Sequence, residues 1–125
     1  MEKGQTVYEL IGDAGIRSLV AHFYVEVQHR PALRALYPEE DLGPAEDRLY
    51  WFLLHVFGGP HTYLEKRGHP MLRKRHFQWK IDGEMRRLWL DCMLTAMDKV
   101  DLPYEVREYM QNYFIKVANH MINSA

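Results

Sequence analysis

The segment Gly68-His69-Pro70-Met71-Leu72-Arg73-Lys74-Arg75-His76 sets a histidine at the end of a basic run, with apolar Phe77 directly after it. Haem iron takes one neutral imidazole nitrogen on its proximal side, and the propionates of the same cofactor are held by nearby cations. A histidine among arginines and apolar side chains therefore fits haem better than zinc. Alone, the pattern is unspecific. The chain has seven histidines, any of which is more often a surface or satisfied core residue than a ligand, and Arg73-Lys74-Arg75 has equally the character of a solvated helix face.

The other histidines form no familiar metal signature. His55, His61 and His69 are spaced six and eight apart across glycines and prolines, and His22 and His29 lie seven apart with no carboxylate placed to complete a site. The seven methionines are scattered over different segments, as core filler is. With 16 basic and 17 acidic residues the formal charge is -1, so there is no broad basic field for nucleic acid phosphates. The single Cys92 makes no intramolecular bridge. No apolar run approaches the roughly 20 residues that span a bilayer, and no leader opens the chain, so a cytoplasmic protein without a membrane or nucleic acid partner is expected. The 125 residues are long enough to bury a core as one domain, residues 1–125.

The elements that must position these residues read as helices, because apolar residues recur at three- and four-residue steps and nowhere alternate with polar ones over a sustained stretch. Thr6 and Glu9 form a capping box for a short first helix that Gly12 ends. A second runs from about Asp13 to Arg30, with Ile16, Leu19, Val20, Phe23, Tyr24 and Val27 on one face, and Pro31 stops it. Pro31 to Pro38 leaves room for a turn or two. Pro44 suits the first turn of the next helix, whose inward face is Leu49, Phe52, Leu53 and Val56 before Gly58-Gly59-Pro60. A short helical piece around Tyr63 to Arg67 and a short helix carrying His76 follow. A long helix from about Asp82 to Lys99 has Met85, Leu88, Trp89, Cys92, Met93, Ala96 and Val100 on its buried side. The last, begun by Asp101 and Pro103, buries Val106, Met110, Tyr113, Phe114, Val117 and Met121, and the tail from Asn123 is expected to fray. The fold class is all-α.

Phe23-Tyr24, Tyr37-Pro38-Glu39-Glu40-Asp41-Leu42, Phe57-Gly58-Gly59-Pro60, Tyr63, Gly68-His69-Pro70, Leu72-Arg73, Arg75-His76 and Trp89-Leu90-Asp91-Cys92-Met93 occur in this order along the chain. Together they make the sequence resemble the truncated haemoglobins of group II, nearly end to end. The resemblance implies the truncated globin fold, a two-over-two helical sandwich around haem b, with His76 as proximal iron ligand. It also implies a distal side made of Tyr24, Tyr37 and Trp89, each of which would otherwise read as an ordinary core aromatic.

Ala45 falls where many globins keep a distal histidine, and a methyl group cannot donate a hydrogen bond. Stabilisation of a bound ligand is then left to Tyr24, Tyr37 and Trp89. Leu49, Phe52, Leu72, Phe77 and Ile81 are the expected apolar walls of the cofactor, and Arg48, Tyr63 and Arg75 its propionate partners. Two departures from the family pattern stand out: Gln78 and Trp79 replace the usual proline and phenylalanine after the proximal histidine, and the paired glycines after the first helix are loosened to Gly12-Asp13-Ala14-Gly15. The function implied is reversible binding of oxygen and other small diatomic ligands with tight retention, by a monomer or homodimer. The alternative is a haem enzyme that reduces peroxide or oxidises nitric oxide, which requires a reductase partner not encoded in the chain.

Overall fold

The computed structural model describes residues 4–60 and 81–123. All regular structure among them is helical: α1 (Val7–Gln28), α2 (Pro31–Arg34), α3 (Gly43–Val56), α4 (Gly83–Asp98) and α5 (Tyr104–Met121). The short helices expected around Tyr63 and His76 lie outside the described residues.

The starts of the helices follow from local chemistry. Thr6 Oγ1 accepts from the Glu9 N–H at 3.1 Å, and Asp82 Oδ1 accepts from the Met85 N–H at 3.0 Å, each satisfying a first-turn donor with no partner inside its helix. Pro31 and Pro44 occupy first-turn positions of α2 and α3, where a missing N–H costs nothing. The two helices expected before Pro31 are present as one element broken at Gly12, whose φ of 71° and ψ of -179° are non-helical. Gly15 completes that bend, since a Cβ there would lie 2.9 Å from Ile11 Cβ. The loosened glycine pair thus divides its work, one residue making the turn and the other leaving room for it.

Helix α1 packs on both α3 and α4, α4 packs on α5, and α2 bridges α1 and α4. The predicted inner face of α1 is buried throughout, with Ile16, Leu19, Val20, Phe23 and Val27 inaccessible to solvent. On α4 and α5 the buried stripe is shifted from its expected version: Leu90 and Met97 on the first and Ala118 on the second are buried, whereas Met85, Tyr113 and Val117, expected inside, are only partly so. For α4 the reason is that it faces neighbours on two sides, whereas a single stripe serves one. Leu49, Val56, Leu88 and Trp89 are only partly buried.

Two features depart from the sequence-based expectation. Asn123 does not fray: its N–H donates to the Ile81 carbonyl at 2.9 Å and its Oδ1 accepts from the Ile81 N–H at 2.8 Å. This reciprocal pair ties the end of α5 to the start of α4, and no local pattern encodes a partner 42 residues away. The second is Glu26, a charge on the buried face of α1. Its carboxylate accepts from Arg30 Nη1 at 3.1 Å and Lys99 Nζ at 2.8 Å. These bonds, Lys99 first, hold its pKa below the ordinary carboxylate value despite burial.

Candidate functional site

A series of aromatic rings runs across the contact of α1 with α4. The Trp89 ring lies 5.5 Å from Phe23 and 5.9 Å from Phe114. Phe23 in turn meets Tyr24 edge to face at 5.0 Å, and Tyr24 meets Tyr37 edge to face at 5.8 Å. Such tilted contacts set the positive rim of one ring against the negative face of the next. The three residues expected on the distal side are therefore brought into one series, but not as equals: the two tyrosines touch, while Trp89 reaches them through Phe23.

The phenols are neutral groups under ordinary conditions. Burial, then the neighbouring Tyr37, pushes the Tyr24 hydroxyl well above the usual phenol range. Burial likewise pushes Tyr37 up to about 12, opposed by a hydrogen-bonding interaction with Tyr24 and the charge of Arg48. A hydroxyl has one proton to give. In Tyr24 it goes to the main-chain carbonyl of Ala45 at 3.2 Å, so Ala45, whose methyl group cannot take part in a hydrogen bond, engages this phenol through its backbone. No described residue accepts a hydrogen bond from the Trp89 indole N–H.

Ala45 and Phe52 are buried on α3, with Leu49 partly buried beside them. Arg48, on the same helix, donates from Nη2 to Glu39 Oε1 at 2.9 Å, each side chain being 33% exposed. A guanidinium has five N–H donors, so this pair leaves Arg48 donors for a second anion. Ile81 is buried ahead of α4. Tyr63, Leu72, Arg75, His76 and Phe77 lie outside the described residues. Sequence reasoning missed Arg34 and Glu39, which hold the corner that carries Tyr37. The only local signal for Arg34 was a basic residue in the last turn of a short helix.

Ala45, Leu49 and Phe52 on α3, the ring series of Trp89, Phe23, Tyr24 and Tyr37, and the Arg48 guanidinium are together of the residue types that suit one side of an apolar macrocycle carrying acid groups. The bacterial-like globin family matches residues 6–123, and the chain belongs to that family as a truncated haemoglobin of group II with the two-over-two helical fold. It is 40% identical to the group 2 truncated haemoglobin YjbI of Bacillus subtilis, over 93% of this chain and 87% of that protein. Among solved structures it superposes on a thermostable haemoglobin from Thermobifida fusca with a TM-score of 0.92 and 45% identity, covering 95% of this chain and 98% of the other. It also superposes on the truncated oxygen-avid haemoglobin of Bacillus subtilis with a TM-score of 0.90 and 39% identity, covering 95% and 100%. Family membership implies a haem globin that binds oxygen or another diatomic ligand. No helix among the described residues is long and apolar enough to cross a membrane.

Proposed function

We propose that this globin binds oxygen reversibly and retains it, holding one haem b through His76 and facing the ligand with Tyr24, Tyr37 and Trp89. The observation that carries this reading is the ring series from Trp89 to Tyr37, with an indole N–H for which no described residue is an acceptor. The likeness to a haemoglobin described as oxygen-avid supports retention over rapid delivery. Haem would supply an iron able to hold a small diatomic ligand, dioxygen being there the more strongly polarised and carbon monoxide the less.

The chain's own residues do the rest. Trp89 donates its indole N–H toward the polarised ligand, and Tyr37 donates its phenol proton, which its raised pKa keeps in place at neutral pH. Tyr24, with its proton on the Ala45 carbonyl, packs its ring edge to face against Tyr37 and so helps to orient it. Arg48, with Tyr63 and Arg75, would meet the propionates, and Ala45, Leu49, Phe52, Leu72, Phe77 and Ile81 would enclose the ring. The small Ala45 side chain keeps the ligand's approach open.

The test is haem content and oxygen release measured together. The parent protein purifies with one haem and releases oxygen slowly, whereas His76→Ala loses the cofactor or shows a foreign ligand in its ferrous spectrum. Full haem content with an unchanged spectrum in His76→Ala overturns the proximal assignment. Rapid oxygen release by the parent overturns retention.

A further inference from the structure

Arg34 holds the corner from which Tyr37 projects. The Tyr37 N–H donates to the Arg34 carbonyl at 3.1 Å, and the Tyr37 carbonyl accepts from Arg34 Nη1 at 3.1 Å. Both main-chain polar groups of Tyr37 are thus bonded to one residue. The other arm of the guanidinium, Nη2, donates to the carbonyls of Glu39 at 2.8 Å and Glu40 at 2.9 Å.

The corner needs such a clasp. Pro38 has no N–H and disfavours helical backbone at Tyr37, so a continuing helix cannot hold residues 37–40 together. A planar, permanently charged fork reaches three carbonyls with little freedom left to lose, which the single point charge of a lysine does less well. An arginine that merely capped α2 would bond the carbonyls of its own last turn, but Glu39 and Glu40 lie well past Arg34, the last residue of α2. On its far side the corner is tied to α3 by Glu39 and Arg48. Between these two anchors the Tyr37 ring meets Tyr24.

We infer that Arg34 is a positioning residue for Tyr37: by clasping the carbonyls of Tyr37, Glu39 and Glu40 it keeps the phenol against Tyr24 and thereby slows the release of oxygen. This rests on the reading of Tyr37 as a donor to the ligand. Arg34 acts through Tyr37.

The experiment compares Arg34→Ala and Arg34→Lys with the parent, each in the presence and absence of Tyr37→Phe, in the haem-loaded protein. Two quantities are read: the oxygen dissociation rate, and the proton–proton contact between the Tyr24 and Tyr37 rings by NMR of the carbon monoxide form with labelled tyrosine. In both Arg34 variants the ring contact weakens and oxygen leaves about five- to tenfold faster, the effect of losing one hydrogen bond. With Tyr37→Phe already present, the same changes alter the rate by less than about twofold.

An Arg34 variant that keeps the ring contact and a parental rate overturns the inference. So does an acceleration that persists undiminished in the Tyr37→Phe background, because Arg34 then acts elsewhere. If Tyr37→Phe alone leaves the rate unchanged, the reading of Tyr37 as a ligand donor fails, and the ring contact decides whether Arg34 positions it.

Discussion

Replacing Trp89 by Phe removes one N–H while keeping a ring between Phe23 and Phe114, whose centroids lie 5.5 and 5.9 Å from the indole. Trp89 is only partly buried, so the packing lost is a fraction of an indole. A stability decrease of about 1 kcal/mol follows, or roughly 4 °C in Tm for a chain of this size. The missing donor is a separate effect. A hydrogen bond to an acceptor carrying partial charge contributes about 1 to 3 kcal/mol. At about 1.4 kcal/mol per factor of ten, oxygen should leave about five- to hundredfold faster.

The assay is stopped-flow displacement of oxygen by carbon monoxide, with carbon monoxide dissociation measured on the same preparation. Carbon monoxide gathers less charge, so its release should change less. Tyr24→Phe provides the internal comparison. Its proton is engaged by the Ala45 carbonyl at 3.2 Å, so its loss should lower stability by about 1 kcal/mol and affect oxygen release less than Trp89→Phe does. If Trp89→Phe leaves the oxygen rate within about twofold of the parent while Tm falls as expected, Trp89 is a core ring and the donor argument is refuted. Equal acceleration of both ligands also refutes it, since opened space and not charge would then be the cause.

On the alkaline side, the phenols of Tyr37 and Tyr113 are pushed up to about 12 and that of Tyr24 is held well above the usual phenol range, each mainly by burial. A raised folded pKa means that the stability from keeping these groups neutral is whole below the unfolded value of about 10 and is lost as pH rises through about 12. The part of the phenolate absorbance that Tyr37→Phe and Tyr113→Phe remove should therefore appear together with loss of helical circular dichroism in that window, and its appearance at pH 10 with the helices intact would contradict it. On the acid side, Glu26 is held below its ordinary value of 4.5 by Lys99 and Arg30, so its contribution is present above that value and is lost as pH falls through the folded pKa. Glu26→Gln should cost about 1 to 3 kcal/mol at neutral pH and flatten the acid limb of the stability profile, measured by denaturant unfolding at several pH values. An unchanged limb would show that other carboxylates carry the acid transition.

Local sequence determined the helices and most of their edges. Thr6, Asp82, Pro31, Pro44 and Gly12 each act on backbone groups within one turn of themselves, and the stripe Ile16, Leu19, Val20, Phe23, Tyr24, Val27 repeats with the helix, so short-range geometry makes both legible. The order of motifs that resembles the family also singled out Tyr24, Tyr37 and Trp89, whose rings the structure brings into one series through Phe23. Which atom each would engage was not legible. Tertiary structure decided that the Tyr24 proton goes to a carbonyl 21 residues away and that Glu26 meets Lys99 across 73 residues. It also decided that the Arg48 guanidinium on α3 meets Glu39 of the corner before it. The physical reason is that a cap or an apolar stripe is satisfied within one helix, whereas a buried hydroxyl, carboxylate or guanidinium bonds whatever another element brings within about 3 Å of it, and that is set only when the helices pack.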